Sequence, residues 1–267
     1  MTHLQGLVYG AVQGLTEFLP VSSSAHLVLL PWFLRWEDPG LGFDVALHAG
    51  TLLAVLWYFW SDWWRLATGA FASLTRGKLA ANLEAELFWK IAAASIPAAV
   101  IGLLFEHAAE EAFRAPGLIA ANLALLGAVL YWSDLRPDSK RGLETIGWRD
   151  AIFVGVAQSA AIVPGVSRSG VTITVARLLG VGRETSARFS FLLSTPIIAG
   201  AALVKMKALA GAVRDPAQLL GLVAATVFGF VAIGGLIRYV RTKSYLPFVL
   251  YRFALAALVL AVLLAGR

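Results

Sequence analysis

The sequence contains no cysteine and little charge. Of its 267 residues only 14% are Asp, Glu, Lys or Arg, and four are histidine. The absence of cysteine excludes a disulfide framework and a thiolate metal site. The shortage of charge, together with 59% hydrophobic residues and a mean hydropathy of +0.75, lies outside the range of a soluble globular domain. The chain is therefore predicted to be a polytopic membrane protein.

The net charge of +6 would suggest a nucleic-acid partner in a soluble protein. Here the basic residues fall mainly in short loops between apolar segments, a placement that sets membrane topology, so no nucleic-acid partner is expected. The first apolar segment is interrupted by polar residues between positions 13 and 26, which is not typical of a signal peptide. We therefore expect no removable leader.

Six segments are long and apolar enough to cross a bilayer, since a spanning helix needs roughly 20 residues. They cover residues 43–60, 87–105, 117–132, 186–205, 219–237 and 247–265, with polar loops at 70–86 and 135–149. Two further segments, residues 4–34 and 149–179, are too long for one crossing and are split by Pro20 and Pro164. Irregular backbone at membrane depth must be buried in protein or line a wet cavity. Each of these two segments therefore fits a re-entrant hairpin.

With both hairpins re-entrant, the loops form two sets that differ sharply in positive charge. The richer set, predicted to be cytoplasmic, comprises Arg65, Arg76, Lys78, Arg136, Lys140, Arg141, Arg149, Arg183, Arg188, Arg238, Arg241 and Lys243. The poorer set, predicted to lie outside with both chain termini, comprises Arg35, Arg114, Lys205, Lys207, Arg214 and Arg267. The two hairpins then enter the membrane from opposite sides.

This topology is typical of inverted repeats, whose broken helices meet near the membrane midplane. The predicted fold class is an all-α polytopic membrane protein with six spanning helices and two re-entrant helix-loop-helix hairpins. Residues 1–267 would form one membrane domain. Its first repeat would cover residues 1–133 and its second repeat residues 149–267, each with one hairpin followed by three spans.

Both hairpin tips have proline followed by serine. Proline disfavours helix at the residue before it, and the serine is a good N-cap for the next helix. Two helix N-termini, each a ready anion site, would then point at the midplane beside the guanidinium of Arg168, so phosphate or diphosphate is the expected ligand. The hydroxyls available to it belong to Ser22, Ser23, Ser24, Ser167, Ser169 and Thr172. Any single hydroxyl can instead satisfy backbone within a helix.

A carboxylate at the first tip, Glu17, would repel an anionic ligand unless it is protonated or a divalent cation lies between them. Gln13 lies four residues earlier on the same helical face, and its amide oxygen could complete a hard-cation site that also uses water and substrate phosphate, as Mg²⁺ sites usually do. Two alternatives stay open. Glu17 could be a buried partner of Arg168, and Gln13 could be an interhelical hydrogen-bonding residue.

Histidine near the first tip adds acid–base chemistry. His26 could act as a general acid or base, or could attack phosphorus itself, but it could also be a histidine capped by a neighbouring carbonyl. His48 is a weaker candidate, because with Asp44 it lies near the start of the first full span and could merely form its polar end. Arg177 is interpreted as a topological residue that reaches the surface from the end of the second hairpin.

These residues occur in two motifs. They read Gln13-x-x-x-Glu17 followed by Pro20-Val21-Ser22-Ser23-Ser24-Ala25-His26, and Pro164-Gly165-Val166-Ser167-Arg168-Ser169-Gly170-x-Thr172. The chain thereby resembles the bacterial undecaprenyl-diphosphate phosphatase family, also called the bacitracin-resistance protein family. The resemblance implies hydrolysis of undecaprenyl diphosphate to undecaprenyl phosphate, which recycles the lipid carrier of cell-wall synthesis. It also implies a Mg²⁺ or Ca²⁺ requirement and a site open to the outer face of the inner membrane.

The resemblance also implies roles for individual residues. Glu17 matches the family's essential carboxylate, Gln13 holds a position that is Glu in some members, and His26 matches the catalytic histidine. Ser23 matches a serine suggested as nucleophile, and Arg168 matches the phosphate-binding arginine, with Ser167, Ser169 and Thr172 beside it. Ser23, His26 and an activated water all stay open as the attacking group.

The main alternative function is a transporter or flippase for a phosphorylated polyprenyl lipid, because inverted repeats with broken helices are a transporter architecture. A flippase needs no activated nucleophile, so Glu17, Ser23 and His26 favour catalysis. A lipid phosphatase of the phosphatidic-acid class is set aside because only one histidine here lies in a motif. The expected partners are a polyprenyl diphosphate lipid and the bilayer, and the oligomeric state is left open, with a homodimer among the alternatives.

Overall fold

The structure is a computed structural model that describes residues 1–77, 82–105 and 112–266. Within those residues it has twelve α-helices and no strand. They are α1 (His3–Phe18), α2 (Ser23–Leu34), α3 (Leu41–Tyr58), α4 (Trp60–Thr75), α5 (Leu83–Leu104), α6 (Pro116–Asp134), α7 (Trp148–Gln158), α8 (Arg168–Leu178), α9 (Arg183–Val204), α10 (Met206–Arg214), α11 (Pro216–Val240) and α12 (Leu246–Leu264). The all-α prediction is confirmed. Lys78 and Arg267, assigned to loop sets above, lie outside the described residues.

Five of these helices, α5, α6, α9, α11 and α12, are long and apolar enough to cross a membrane. A sixth span arises if α3 and α4, which meet at a bend of 80°, are counted together. Large apolar side chains such as Leu103, Leu104, Val231 and Leu264 lie on the outside of the bundle. An exposed apolar surface of this kind is expected where a protein faces lipid. The multi-pass membrane class is therefore confirmed.

Two helices were not predicted. The loop expected at residues 70–86 is wrong at both ends, because α4 continues to Thr75 and α5 begins at Leu83, and α10 fills a predicted connection. In α4 the buried residues Leu66, Gly69, Ala70 and Ser73 recur at helical spacing and face α5. Packing of an amphipathic face thus stabilises a helix that a search for apolar spans overlooks.

Each of the two segments predicted to form hairpins is a helix, a break and a second helix. In the first, α1 ends at Phe18, two residues before Pro20, and α2 begins at Ser23. In the second, α7 is followed by a 3₁₀ turn over Ser159–Ile162 that ends before Pro164, and α8 begins at Arg168. The breaks therefore occur where proline disfavours helix.

The two halves of the chain interlock. Helix α1 packs along α11 from the other half, α7 packs against α5, and α6 packs against α12. Glycine permits the closest of these approaches, since a Cβ on Gly10 would overlap the carbonyl of Gly221, and one on Gly155 would overlap the carbonyl of Ala94. Small residues in the contact between two helices let membrane helices approach closely. Each half is therefore completed by a helix from the other half.

Arg177 is not the surface-reaching residue that the sequence suggested. Its side chain is fully buried at the end of α8 and donates to the carbonyls of Arg136 and Val181 and to the carboxylate of Asp138. The α6–α7 loop folds over this end of the helix. That covering loop is a tertiary feature that helix position alone does not reveal.

Candidate functional site

Each hairpin tip turns at a serine with an unusual backbone conformation. Ser22 has a φ of 75° and Ser167 a φ of 73°, in the left-handed region that residues other than glycine seldom adopt. Each serine is the N-cap of the next helix, and its hydroxyl accepts a hydrogen bond from the backbone N–H three residues later. Strained backbone of this kind is concentrated at functional sites. The predicted serine N-caps are confirmed.

Two hydrogen bonds join the tips directly. The hydroxyl of Ser22 accepts from the backbone N–H of Gly165 at 3.1 Å, and the hydroxyl of Ser169 donates to the carbonyl of Leu19 at 2.9 Å. Gly165 has a φ of 93°, and a Cβ there would lie 2.7 Å from the carbonyl oxygen of Ile119. Only glycine satisfies both conditions without strain. The two motifs, far apart in sequence, therefore meet in one place.

Glu17 is the centre of this junction. Its side chain is 5% exposed, and its carboxylate accepts hydrogen bonds from Arg168 at 2.6 Å, from Ser23 at 2.5 Å and from Gln13 at 3.0 Å. Arg168 comes from the second tip, so the pair joins both hairpins. The pairing of Glu17 with Arg168, one of the alternatives left open by the sequence, is present. Gln13 binds within its own helix, not to a neighbouring one.

Arg168 is held from two sides. Besides Glu17, it donates to the carbonyl of Ser190 in α9 at 3.2 Å. The hydroxyl of Ser190 in turn lies 2.7 Å from that of Thr172, which also donates to the carbonyl of Arg168. The sequence did not point to Ser190, because nothing local shows that α9 passes behind the second tip.

Most of the hydroxyls predicted to bind phosphate have backbone partners. Ser22 and Ser167 cap their helices, Ser169 donates to Leu19, and Thr172 donates within its own helix turn. This is the alternative role allowed for them above. Ser24, whose hydroxyl lies 3.2 Å from that of Ser22, lines the adjoining cavity. Phosphate binding by these hydroxyls stays a prediction.

Both nitrogens of His26 are engaged away from Glu17. Its Nδ1 lies 2.7 Å from the carbonyl of Ser22, and its Nε2 lies 2.6 Å from the hydroxyl of Tyr251 in α12. Because a carbonyl only accepts, Nδ1 carries the proton and Nε2 accepts from the tyrosine when the ring is neutral. The two rings are also stacked, with centroids 5.6 Å apart. A catalytic role of His26 stays a prediction.

The structure places His48, the weaker of the two histidine candidates, beside Glu17 and not merely at the polar end of a span. Its Nε2 lies 3.6 Å from the Glu17 carboxylate, and its Nδ1 donates to the carbonyl of Asp44 at 2.7 Å. Helix α3 packs against α1, α9 and α11, which turns the face carrying both residues inward. That packing, and not the position of His48 in the helix, decides where its side chain lies.

A cavity of about 370 Å³ opens beside the Glu17–Arg168 pair. Its polar side includes Asp44, His48 and Arg114. Its apolar lining includes Leu27, Val28, Val45, Ala98, Ile162, Ile197, Ile198, Ala201 and Ala202. A smaller cavity of about 220 Å³ near α4 and α5 contains none of the predicted site residues. The larger cavity therefore offers charged groups and apolar surface side by side, as an amphiphilic ligand requires.

The site can supply few protein ligands to a cation. Within the described residues no group of three or more His, Cys, Asp or Glu is arranged to hold a metal. The Oε1 atom of Gln13, however, is buried without a hydrogen-bond partner, next to the carboxylate of Glu17. These two residues fit a hard cation that fills its remaining positions with water and substrate phosphate, which is the usual habit of Mg²⁺.

Arg252 was missed by the sequence analysis. It lies in α12, fully buried, and donates to carbonyls of both tips. A signal for it existed, because it is the single charged residue of α12, and a charge inside an apolar span is by default a functional hypothesis.

Comparison with known proteins agrees with the two motifs. The family model described as bacitracin resistance protein BacA matches residues 6–258. The undecaprenyl-diphosphatase of Moorella thermoacetica is 52% identical over 262 residues, covering 98% of both chains. That of Pelotomaculum thermopropionicum is 46% identical over 267 residues, covering 100% of this chain and 98% of its own. These matches span nearly the whole chain, which therefore belongs to the bacitracin resistance protein BacA family.

Proposed function

We propose that this protein hydrolyses undecaprenyl diphosphate to undecaprenyl phosphate and inorganic phosphate, and thereby recycles the lipid carrier of cell-wall synthesis and confers bacitracin resistance. The observation that carries the proposal is the Glu17–Arg168 pair, formed between two hairpin tips at the wall of a cavity that is partly charged and partly apolar. The relatives named undecaprenyl-diphosphatase support the same activity.

The tips suit a diphosphate head group. Arg168 can exchange its carboxylate partner for phosphate oxygens, and the N-termini of α2 and α8 add backbone N–H donors and partial positive charge. The apolar wall of the cavity would take the first part of the polyprenyl tail. Phosphoryl transfer depends mostly on such positioning and on stabilisation of the charge that develops on the phosphoryl oxygens.

Ser23 is the attacking group that the geometry favours. Its hydroxyl donates to Glu17, whereas both nitrogens of His26 have other partners. In this scheme Glu17 takes the proton of Ser23 as its oxygen bonds to the terminal phosphorus, and the bond to the bridging oxygen breaks. Undecaprenyl phosphate leaves, and water then hydrolyses the phosphoserine to release inorganic phosphate. His26, beside the same helix N-terminus, is available for proton transfer to or from the leaving groups.

A divalent cation, Mg²⁺ or Ca²⁺, is proposed as the cofactor, held by Glu17 and the unpartnered oxygen of Gln13. Once bound it would offset the negative charge of the diphosphate. Glu17 also pairs with Arg168. The guanidinium therefore already supplies part of the positive charge that an anion needs in order to bind next to a carboxylate.

The proposed arrangement in the membrane is an inverted repeat of residues 1–133 and 149–267, each with one re-entrant hairpin. Both termini would lie on the outer side of the inner membrane, and the site would open to that same side. The matching order of helices in the two halves supports it, as do the equivalent caps at Ser22 and Ser167. The chain has no cysteine, so a cysteine introduced at Glu37 or Lys140 is its single thiol. A membrane-impermeant reagent should label the two from opposite sides, and labelling from one side would overturn this topology.

The activity is tested with purified protein in detergent. Wild type should release phosphate from farnesyl or undecaprenyl diphosphate, a chelator should stop it, and Glu17→Gln should lower kcat by at least about 100-fold. Glu184→Gln is the matched control, because that carboxylate pairs with Arg241 outside the site. Absence of phosphate release by folded wild type would overturn the phosphatase and favour the transporter.

A further inference from the structure

Arg252 joins the two hairpin tips from behind. Its guanidinium donates to the carbonyl of Pro20 in the first tip at 3.3 Å and to the carbonyls of Gly165 and Val166 in the second tip at 2.8 Å and 3.2 Å. Helix α8 begins against the same group, since a Cβ on Gly170 would lie 3.1 Å from its Nη1 atom. One side chain from α12 therefore contacts both halves of the site.

The remaining contacts of Arg252 anchor it to α6. Its Nε donates to the carbonyl of Leu123 at 3.1 Å and its Nη2 to the carbonyl of Asn122 at 3.2 Å, while the Asn122 amide donates to the carbonyl of Pro164. All three guanidinium nitrogens thus have carbonyl acceptors. Among the described residues no carboxylate pairs with Arg252, so its partners are backbone dipoles alone. A buried charge is costly unless its hydrogen bonds are satisfied, and here they are.

The shape of the side chain matters for these contacts. Arginine presents five N–H donors in a planar fork, whereas lysine presents three donors from one point on a flexible stem. Only the fork reaches carbonyls of the first tip, the second tip and α6 together. Substitution of Arg252 by lysine therefore separates the effect of its charge from the effect of its geometry.

We propose that Arg252 is a positioning residue of the site: by holding the carbonyls of both tips, it sets the distance between Glu17 on one hairpin and Arg168 and the α8 N-terminus on the other. The proposal rests on the phosphatase function proposed above. Arg252 bonds to neither Glu17 nor Arg168, and it acts through the backbone of the tips. Displacements of about 1 Å in such a constellation can lower a rate by roughly 100-fold.

The test compares Arg252→Lys with wild type. Lysine keeps the charge and loses the fork, so kcat for farnesyl diphosphate should fall at least about tenfold. KM should change less than about threefold, because the spacing of the tips matters for binding the transition state more than for binding the substrate. Arg177→Lys is the matched control: Arg177 is also fully buried and donates to carbonyls, but at the other end of α8. It should lower the thermal unfolding midpoint and leave kcat unchanged.

The outcomes are distinct. If folded Arg252→Lys has kcat within about twofold of wild type, positioning by the fork is wrong. If this variant does not purify as a monodisperse protein, Arg252→Gln, which keeps a planar group with fewer donors, should lower kcat in the same way; normal kcat there also overturns the proposal. If wild type itself releases no phosphate, the proposed function fails, and the role proposed for Arg252 in that reaction fails with it.

Discussion

Glu17 accepts hydrogen bonds from three side chains, and this explains how a carboxylate can lie where an anion is proposed to bind. Arg168, Ser23 and Gln13 all donate to it, and the ion pair with Arg168 compensates its charge. A phosphate that enters the cavity competes with Glu17 for the guanidinium. The two alternatives stated for Glu17, an ion-paired residue and a catalytic one, are therefore compatible, because the pair is the resting arrangement of the same groups.

His48 provides a test of the electrostatics around Glu17. Replacing His48 with alanine removes the imidazole nitrogen 3.6 Å from the carboxylate and should lower kcat/KM about tenfold, the order of effect expected for a close electrostatic contact in a partly buried site. His48→Gln keeps a polar side chain beside the carboxylate and should retain most of the activity. Phosphate release by both variants is the measurement, and equal activity of alanine and wild type would remove His48 from the site.

Tyr251 is expected to hold the ring of His26. Tyr251→Phe keeps the stacked ring and removes the hydroxyl that lies 2.6 Å from Nε2, so kcat should fall about three- to tenfold, the value of one neutral hydrogen bond. The effect should vanish in a His26→Ala background, where there is no imidazole to orient. A full additional loss in that background would show that Tyr251 acts on something else.

The site could be predicted from the sequence only where its residues are local to the two motifs. Gln13, Glu17 and Ser23 follow from helical spacing and from the proline break, and Arg168 follows from the N-cap. Helices distant in sequence contribute the other members, Ser190, His48 and Arg252, and their orientation depends on how the bundle packs. No period or motif in those helices specifies it.

At the scale of the helices, close packing of glycine-rich faces positions the hairpins. Helix α1 lies along α11, where a Cβ on Gly6, Gly10 or Gly14 would strike backbone of the partner helix. The hairpin carrying Glu17 is thus fixed by backbone-to-backbone contact over the whole length of its first helix. Helices without strong hydrophobic attraction between them rely on such packing inside a bilayer.

Two glycines of α11 give a matched test of this packing. A Cβ on Gly221 would lie 2.8 Å from the ring of Phe43 and 2.9 Å from the carbonyl oxygen of Gly6, whereas a Cβ on Gly235 meets nothing within 4 Å. Gly221→Ala should destabilise the protein by about 1–3 kcal/mol. Gly235→Ala should be neutral or stabilise it by up to about 1 kcal/mol, because alanine favours helix. Thermal unfolding in detergent distinguishes them, and equal midpoints would contradict the packing.

The spans were predictable because each is a long apolar run, and the breaks because proline stops a helix. The short helices α4 and α10 were not, since their stability comes from one face packed on neighbours and not from an apolar stretch long enough to cross. Element boundaries thus follow local chemistry, whereas the existence of a marginal helix depends on its partners.

At the scale of the whole molecule, the fold brings together residues that are about 150 positions apart. Helices from each half pack against the other half, the two tips exchange hydrogen bonds, and Glu17 and Arg168 meet at the junction. Neither half contains a complete site. The two hairpins are therefore expected to act as one catalytic unit.

A double-mutant cycle tests this claim most directly. Phosphate release from farnesyl diphosphate is measured for wild type, Glu17→Asp, Arg168→Lys and the double variant, with substitutions mild enough to leave measurable activity. If the two residues act as one unit, the double variant should lose about as much kcat/KM as the worse single variant, because each change already breaks the shared arrangement. If instead the fold-losses in kcat/KM of the two single variants multiply in the double variant, the two residues act independently. That result would contradict a single catalytic unit.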